Sequence, residues 1–146
     1  MQFSLNTDDQ QRIDICGLNT GRRRQRGRRP ADSSVGYIST VNYPSLYPPD
    51  TDCRCRLTAD RDDAQVIFYV LDMKLATPPG EPKCSRDWLE LSTAAHAHGG
   101  GAKTKLCDWP PHVPVYTASN RVTLTFHAGM TMEARGFWIQ YVGTWR

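Results

Sequence analysis

The residues best suited to chemistry are five cysteines: Cys16, Cys53, Cys55, Cys84 and Cys107. An odd number leaves at least one thiol outside any intrachain bridge. No Cys-x-x-Cys pair and no Cys/His grouping has the spacing of a zinc site. Scattered singly among short apolar stretches, the five read as two disulfides plus one further thiol. That pattern belongs to an oxidising compartment.

The second chemical feature is a run of six arginines: Arg22, Arg23, Arg24, Arg26, Arg28 and Arg29. The guanidinium fork matches carboxylate or sulfate two oxygens at a time. The whole chain carries a formal net charge of +3, which becomes −3 without these six. The basic character thus reads as that of one segment, and the domain body is not expected to bind nucleic acid. Dense like charge without periodicity reads first as a solvated, flexible loop. A sulfated glycan or an acidic protein surface is the alternative partner. Proteolytic cutting in the run is disfavoured by Pro30.

Enzymatic signatures are missing. There is no Gly-x-Ser-x-Gly, no His-Glu-x-x-His and no phosphate loop, and the acids are scattered on turns. His96 and His98 sit in a Gly-rich stretch without carboxylate or thiol neighbours and read as solvated. The chain is therefore expected to be no enzyme and to need no cofactor. No Asn-x-Ser/Thr triplet occurs, so N-glycosylation is not expected.

The elements that would position these groups are strands. Residues 34–57 set the pattern. Gly36-x-Ile38 begins a short strand, and Asn42-Tyr43-Pro44 with Leu46-Tyr47-Pro48 makes a Pro-rich crossing. Cys53-x-Cys55-x-Leu57 then alternates with Arg54 and Arg56, the period of a half-buried strand. Prolines lack the N–H donor, so the crossing lies over a sheet rather than inside it. Val66–Leu71 is an unbroken apolar run and reads as a strand buried on both faces. Trp88–Leu91 is a further short strand. Residues 94–105 read as a flexible loop, and the prolines at 110, 111 and 114 as an irregular crossing.

The last third is the most regular. Val122, Leu124 and Phe126 share one face, and so do Phe137, Ile139 and Tyr141 after Gly136. Trp138 is out of phase with its neighbours. It is expected on the opposite side of the strand, either as an exposed protein contact or as cover under a loop. No stretch has helical spacing, so the fold class is all-β, a two-sheet antiparallel sandwich. No apolar run reaches the length of a membrane span, so direct membrane insertion is not expected. Residues 1–5 lack a cationic start and an apolar core. A secretory signal, if the protein is exported, is expected outside this sequence.

Taken together, the ordered set resembles the CUB domain family. The set is Cys16-Gly17, Gly36-x-Ile38-Ser39, the two Tyr-Pro pairs, Cys53-x-Cys55-x-Leu57, Leu71-Asp72, Cys84-x-x-Asp87-x-Leu89-x-Leu91, Leu106-Cys107, Ser119-Asn120-x-Val122-x-Leu124-x-Phe126 and Gly136-Phe137-x-Ile139-x-Tyr141. The resemblance implies a jelly-roll-like sandwich within a larger secreted or membrane-anchored protein, extracellular, acting by binding a protein partner. It implies a domain at residues 16–142 with the flexible Arg-rich insertion at 18–34. Residues 1–15 become a tail or lead-in strand and 143–146 a C-terminal tail. A sulfated-glycan-binding module using the arginine run is one alternative. An accessory domain of a secreted protease is another.

The same resemblance implies the bridges Cys16–Cys53 and Cys84–Cys107. Cys55 is left as a buried thiol where the family usually has a core tryptophan, with exchange against Cys53 as the main rival. Many members of the family hold calcium on end loops with three acidic positions. Here those positions map to Lys74, Asp87 and Gly129. Calcium needs several oxygen ligands, so this degenerate set implies no metal, with Lys74 expected to pair with Asp87 in its place.

Overall fold

The computed structural model describes residues 12–17, 28–30, 35–58, 65–93, 102–108, 113–116, 120–130 and 134–144. Ten strands follow in chain order: β1 (Arg12–Asp14), β2 (Arg28–Pro30), β3 (Val35–Ser39), β4 (Thr51–Thr58), β5 (Gln65–Lys74), β6 (Trp88–Thr93), β7 (Lys103–Leu106), β8 (Val113–Tyr116), β9 (Arg121–Ala128) and β10 (Gly136–Thr144). They form two five-stranded sheets, ordered β1-β3-β10-β5-β8 and β2-β4-β9-β6-β7. Neighbours are antiparallel except at the edges, where β1 runs parallel to β3 and β2 to β4.

Period-two alternation builds the core. Cys53, Cys55 and Leu57 of β4 face Val122, Leu124 and Phe126 of β9 in register, Cys53 opposite Phe126. The other sheet contributes Val66, Phe68 and Val70 from β5 and Phe137, Ile139 and Tyr141 from β10, all buried. Phe126 meets Phe137 edge-on across the layers, ring centroids 5.6 Å apart. Fully burying each such side chain stabilises by roughly 1.5–3 kcal/mol. Gly36 is required by this packing: a Cβ there would lie 2.3 Å from the Tyr141 hydroxyl.

Two disulfides brace the sandwich, Cys16–Cys53 and Cys84–Cys107. The Asp14 carboxylate accepts from the N–H groups of Cys16 (2.7 Å) and Gly17 (3.2 Å), closing the turn that carries Cys16. The first bridge joins the turn after β1 to β4, and so links one sheet to the other. The second ties the loop before β6 to the residue after β7. Cys55 stands outside both bridges and is fully buried.

The structure departs from the sequence expectations in several elements. Val66–Leu71 is buried on one face only: Ile67, Tyr69 and Leu71 lie half-exposed on the outer side of β5. Strand β7 occupies part of the stretch expected as a loop, and β8 part of the expected Pro crossing. β7 presents three exposed residues before Leu106, so it carries no apolar alternation to read. β8 is an edge strand, the position in a sheet that tolerates its Pro114. Within the Arg-rich insertion, β2 places Arg28 opposite Arg56. β10 extends to Thr144.

Candidate functional site

The end loops converge on Asp87. Its carboxyl group is 1% exposed. The Tyr47 hydroxyl donates to Asp87 Oδ2 at 2.5 Å, and the Gly129 N–H donates to Oδ1 at 2.8 Å. Tyr47 in turn accepts the N–H of Ala76 at 2.9 Å. One carboxylate and one phenol thus join the Pro-rich crossing, the segment after β5, the loop before β6 and the turn after β9. Main-chain bonds complete the knot: Asp50 N–H to Gly129 carbonyl (2.7 Å) and Tyr47 N–H to Ala134 carbonyl (3.1 Å). Tyr47 is itself fully buried, edge-on against Phe126 at 5.3 Å.

Lys74 and Gly129 occupy the other two positions singled out from the sequence. Lys74, the last residue of β5, is exposed, and its main chain bridges to Asp108. Among the described residues no ion pair joins Lys74 to Asp87, which corrects that expectation. The reason is local: the strand ends with Lys74 turned to solvent, while Asp87 is sealed inside and already accepts two hydrogen bonds. Gly129 contributes main chain only. The three positions therefore supply one carboxylate, and both its oxygens are used. This donor set does not fit a calcium ion, which needs several oxygens. Among the described residues no group of three His, Cys, Asp or Glu side chains is arranged to hold a metal.

Asp72, close by in sequence, is also committed. Arg135 donates to both of its oxygens at 2.7 Å, and the Tyr43 hydroxyl donates at 2.6 Å. The Arg135 hydrogen bond holds the Asp72 carboxyl below its ordinary value of 3.8, and Tyr43 adds to this, while burial opposes it. A lowered native pKa stabilises the fold fully above the ordinary value, and that stabilisation is lost as pH falls through the lowered one. Asp72→Asn is expected to cost about 1 kcal/mol at neutral pH, since Arg135 is half exposed. The difference should shrink towards zero as pH is taken below the ordinary carboxylate range. Urea denaturation of both proteins across that range checks it, and a difference that grows on acidification would contradict the assignment.

Trp138 does lie on the outer face of its sheet, but it is not openly exposed. Tyr37 and Tyr43 pack against it, with centroids 5.8 and 6.1 Å away. Its indole Nε1 is buried and has no hydrogen-bond partner among the described residues. Arg22, Arg23, Arg24 and Arg26 lie outside the described residues, as do His96 and His98. Of Arg28 and Arg29 only the backbone course in β2 is described.

Two features escaped the sequence reading. The Tyr47 hydroxyl reaches Asp87 across 40 positions, and no local motif announces it. The second is a row on the outer face of the other sheet. There Asp52 Oδ1 lies 2.6 Å from His127 Nδ1, His127 stacks on Trp88 at 4.4 Å, and Lys105 Nζ sits 4.0 Å over the Trp88 ring. Asp52, His127 and Trp88 are direct cross-strand partners.

A family model described as CUB domain matches residues 27–141. Rat procollagen C-endopeptidase enhancer 1 is 30% identical over 109 residues, covering 74% of this chain and 22% of the relative. The chain thus spans about a fifth of that relative's length. Among solved structures, the CUB1-EGF-CUB2 region of human MASP-1/3 superposes with a TM-score of 0.65 at 20% identity, over 79% of this chain and 41% of that one. The MASP-1 CUB2 domain bound to Ca2+ superposes at 0.63 with 21% identity, over 77% of this chain and 96% of that one.

Proposed function

The chain belongs to the CUB domain family, and on that premise we propose that it is a non-catalytic protein-binding module of a larger secreted or membrane-anchored protein. Its end-loop face is held by hydrogen bonds rather than by a calcium ion. The observation that carries this reading is the Asp87 knot. Four loop segments that a cation would draw together are here drawn together by the Tyr47 hydroxyl and the Gly129 N–H. By its name the rat relative enhances an endopeptidase, and only the protein-binding class is carried over to this chain. An accessory role beside a protease would depend on flanking domains.

A protein partner on this face meets a different chemistry from that of a metal-organised one. Lys74 is exposed at the end of β5, and both oxygens of the Asp87 carboxylate are already taken. The surface therefore favours a partner that offers hydrogen-bond acceptors or a carboxylate to Lys74, rather than a lysine reaching for an acidic cluster.

Calcium calorimetry tests the reading. The wild-type chain is expected to give no binding heat up to roughly millimolar calcium. Lys74→Glu/Gly129→Asp is expected to gain binding. Gly129 has room for the side chain, because a Cβ there would make only an ordinary 3.5 Å contact with Asp87 Oδ1. Wild-type binding near micromolar would overturn the proposal.

A further inference from the structure

The outer face of the β2-β4-β9-β6-β7 sheet is cationic although the chain without its arginine run is net negative. We infer that this face is a binding site for a linear sulfated glycan. The residues facing out alternate with the core residues of each strand. β4 presents Asp52, Arg54 and Arg56, and β7 presents Lys103 and Lys105, all exposed. β9 presents Arg121, Thr123, Thr125 and His127, and β6 presents Trp88, Glu90 and Ser92. Five cations thus stand against two carboxylates among the described residues. One of the two, Asp52, is engaged by His127.

The cations are sorted as well as numerous. Strand register sets Arg56, Thr123, Ser92 and Lys103 in one row, and Arg54, Thr125, Glu90 and Lys105 in the next. Neighbouring strands are about 4.8 Å apart, so β4 and β7 form two basic rails roughly 14 Å apart. Between them lie the hydroxyls of Thr123, Thr125 and Ser92 and, in the second row, the carboxylate of Glu90. A sulfated sugar chain laid along the Arg56 row meets guanidinium, hydroxyl, hydroxyl and ammonium in turn. Its sulfates suit the arginine fork, and its ring hydroxyls suit the hydroxyls between the rails.

Other polyanions fit less well. Single-stranded nucleic acid needs aromatic platforms for its bases. Among the described residues the one aromatic on this face, Trp88, is already covered by His127 and Lys105. Apart from Trp88, the described residues on this face are polar or charged, so it offers little to a lipid interior. The two disulfides place the chain where sulfated glycans are found rather than nucleic acids. This site is separate from the Asp87 knot, and its test does not depend on the protein-binding reading.

The experiment compares two variants of equal net charge on immobilised heparin at physiological salt. One is Arg54→Gln/Arg56→Gln/Lys103→Gln/Lys105→Gln. The other is Arg22→Gln/Arg23→Gln/Arg24→Gln/Arg26→Gln. Wild type is expected to bind, and the sheet variant to bind about tenfold more weakly with a shallower salt dependence. The run variant should lose less. All four sheet positions are exposed, so the midpoint of thermal unfolding should stay within a few degrees of wild type. The inference is overturned if wild type fails to bind, if the run variant loses as much as the sheet variant, or if a DNA oligonucleotide of matched charge competes as well as heparin.

Discussion

Asp87→Ala is expected to lower the unfolding free energy by roughly 3–5 kcal/mol, and Asp87→Asn by about 1–3 kcal/mol. Alanine removes the acceptors of the buried Tyr47 hydroxyl and of the Gly129 N–H and leaves a void between four loop segments. Asparagine keeps one acceptor for Gly129 and fills the space, but it cannot accept from Tyr47 as the second carboxylate oxygen does. Tyr47→Phe should fall in the same range as asparagine, because it also orphans the Ala76 N–H. Urea denaturation gives the three values. Amide exchange at Ala76 and Gly129 reports whether the loss is seated in the knot. A cost below about 1 kcal/mol for Asp87→Ala would mean that something else holds these loops, and the account of an ion-free end face would fall with it.

Gly136→Ala is expected to cost about 3 kcal/mol or more. Gly136 has φ of 97°, where side chains are strained. A Cβ there would lie 1.8 Å from Thr40 Oγ1. Thr40 cannot simply move, since that same oxygen accepts the Phe137 N–H while the Thr40 N–H donates to the Phe137 carbonyl. Gly80 separates the two contributions. Its φ is 82°, yet nothing lies within 4 Å of the added atom. Gly80→Ala should therefore show the backbone strain alone, about 1 kcal/mol. Chemical denaturation of the pair decides it, and equal costs would remove the role given to Thr40.

Much of the scaffold was legible because its signals are local and periodic. Cys53-x-Cys55-x-Leu57 and Val122-x-Leu124-x-Phe126 alternate cleanly and pair in register across β4 and β9. Strands at the sheet edges were harder. Lys103-Thr104-Lys105 faces solvent throughout, and Val113–Tyr116 carries a proline, so neither displays the period that marks a half-buried strand. Trp138 was placed on the correct face, but its cover depends on Tyr37 and Tyr43 arriving from elsewhere in the chain.

The site was half legible. Lys74, Asp87 and Gly129 emerged from the family resemblance, and the loss of carboxylates could be read directly. What replaced them could not. The sequence suggests an ion pair for Asp87, yet its partners are a phenol and a main-chain amide, whose meeting is a matter of tertiary geometry. Charge misled in a similar way. The sequence total assigns the basic character to the arginine run, whereas pleating gathers Arg54, Arg56, Lys103 and Lys105 onto one face from residues that alternate with apolar or hydroxyl neighbours.

The position of β10 bears on how the domain would carry tension. It lies between β3 and β5, antiparallel to both, with nine residue pairs along β5. Pulled along its axis, such a strand loads both ladders in shear, and many hydrogen bonds must yield together. An edge strand such as β8, joined on one side through four pairs, can be peeled away bond by bond. With Cys16–Cys53 clamping one layer to the other, a force arriving through β10 would be shared by the whole sandwich, and the edges would be first to give.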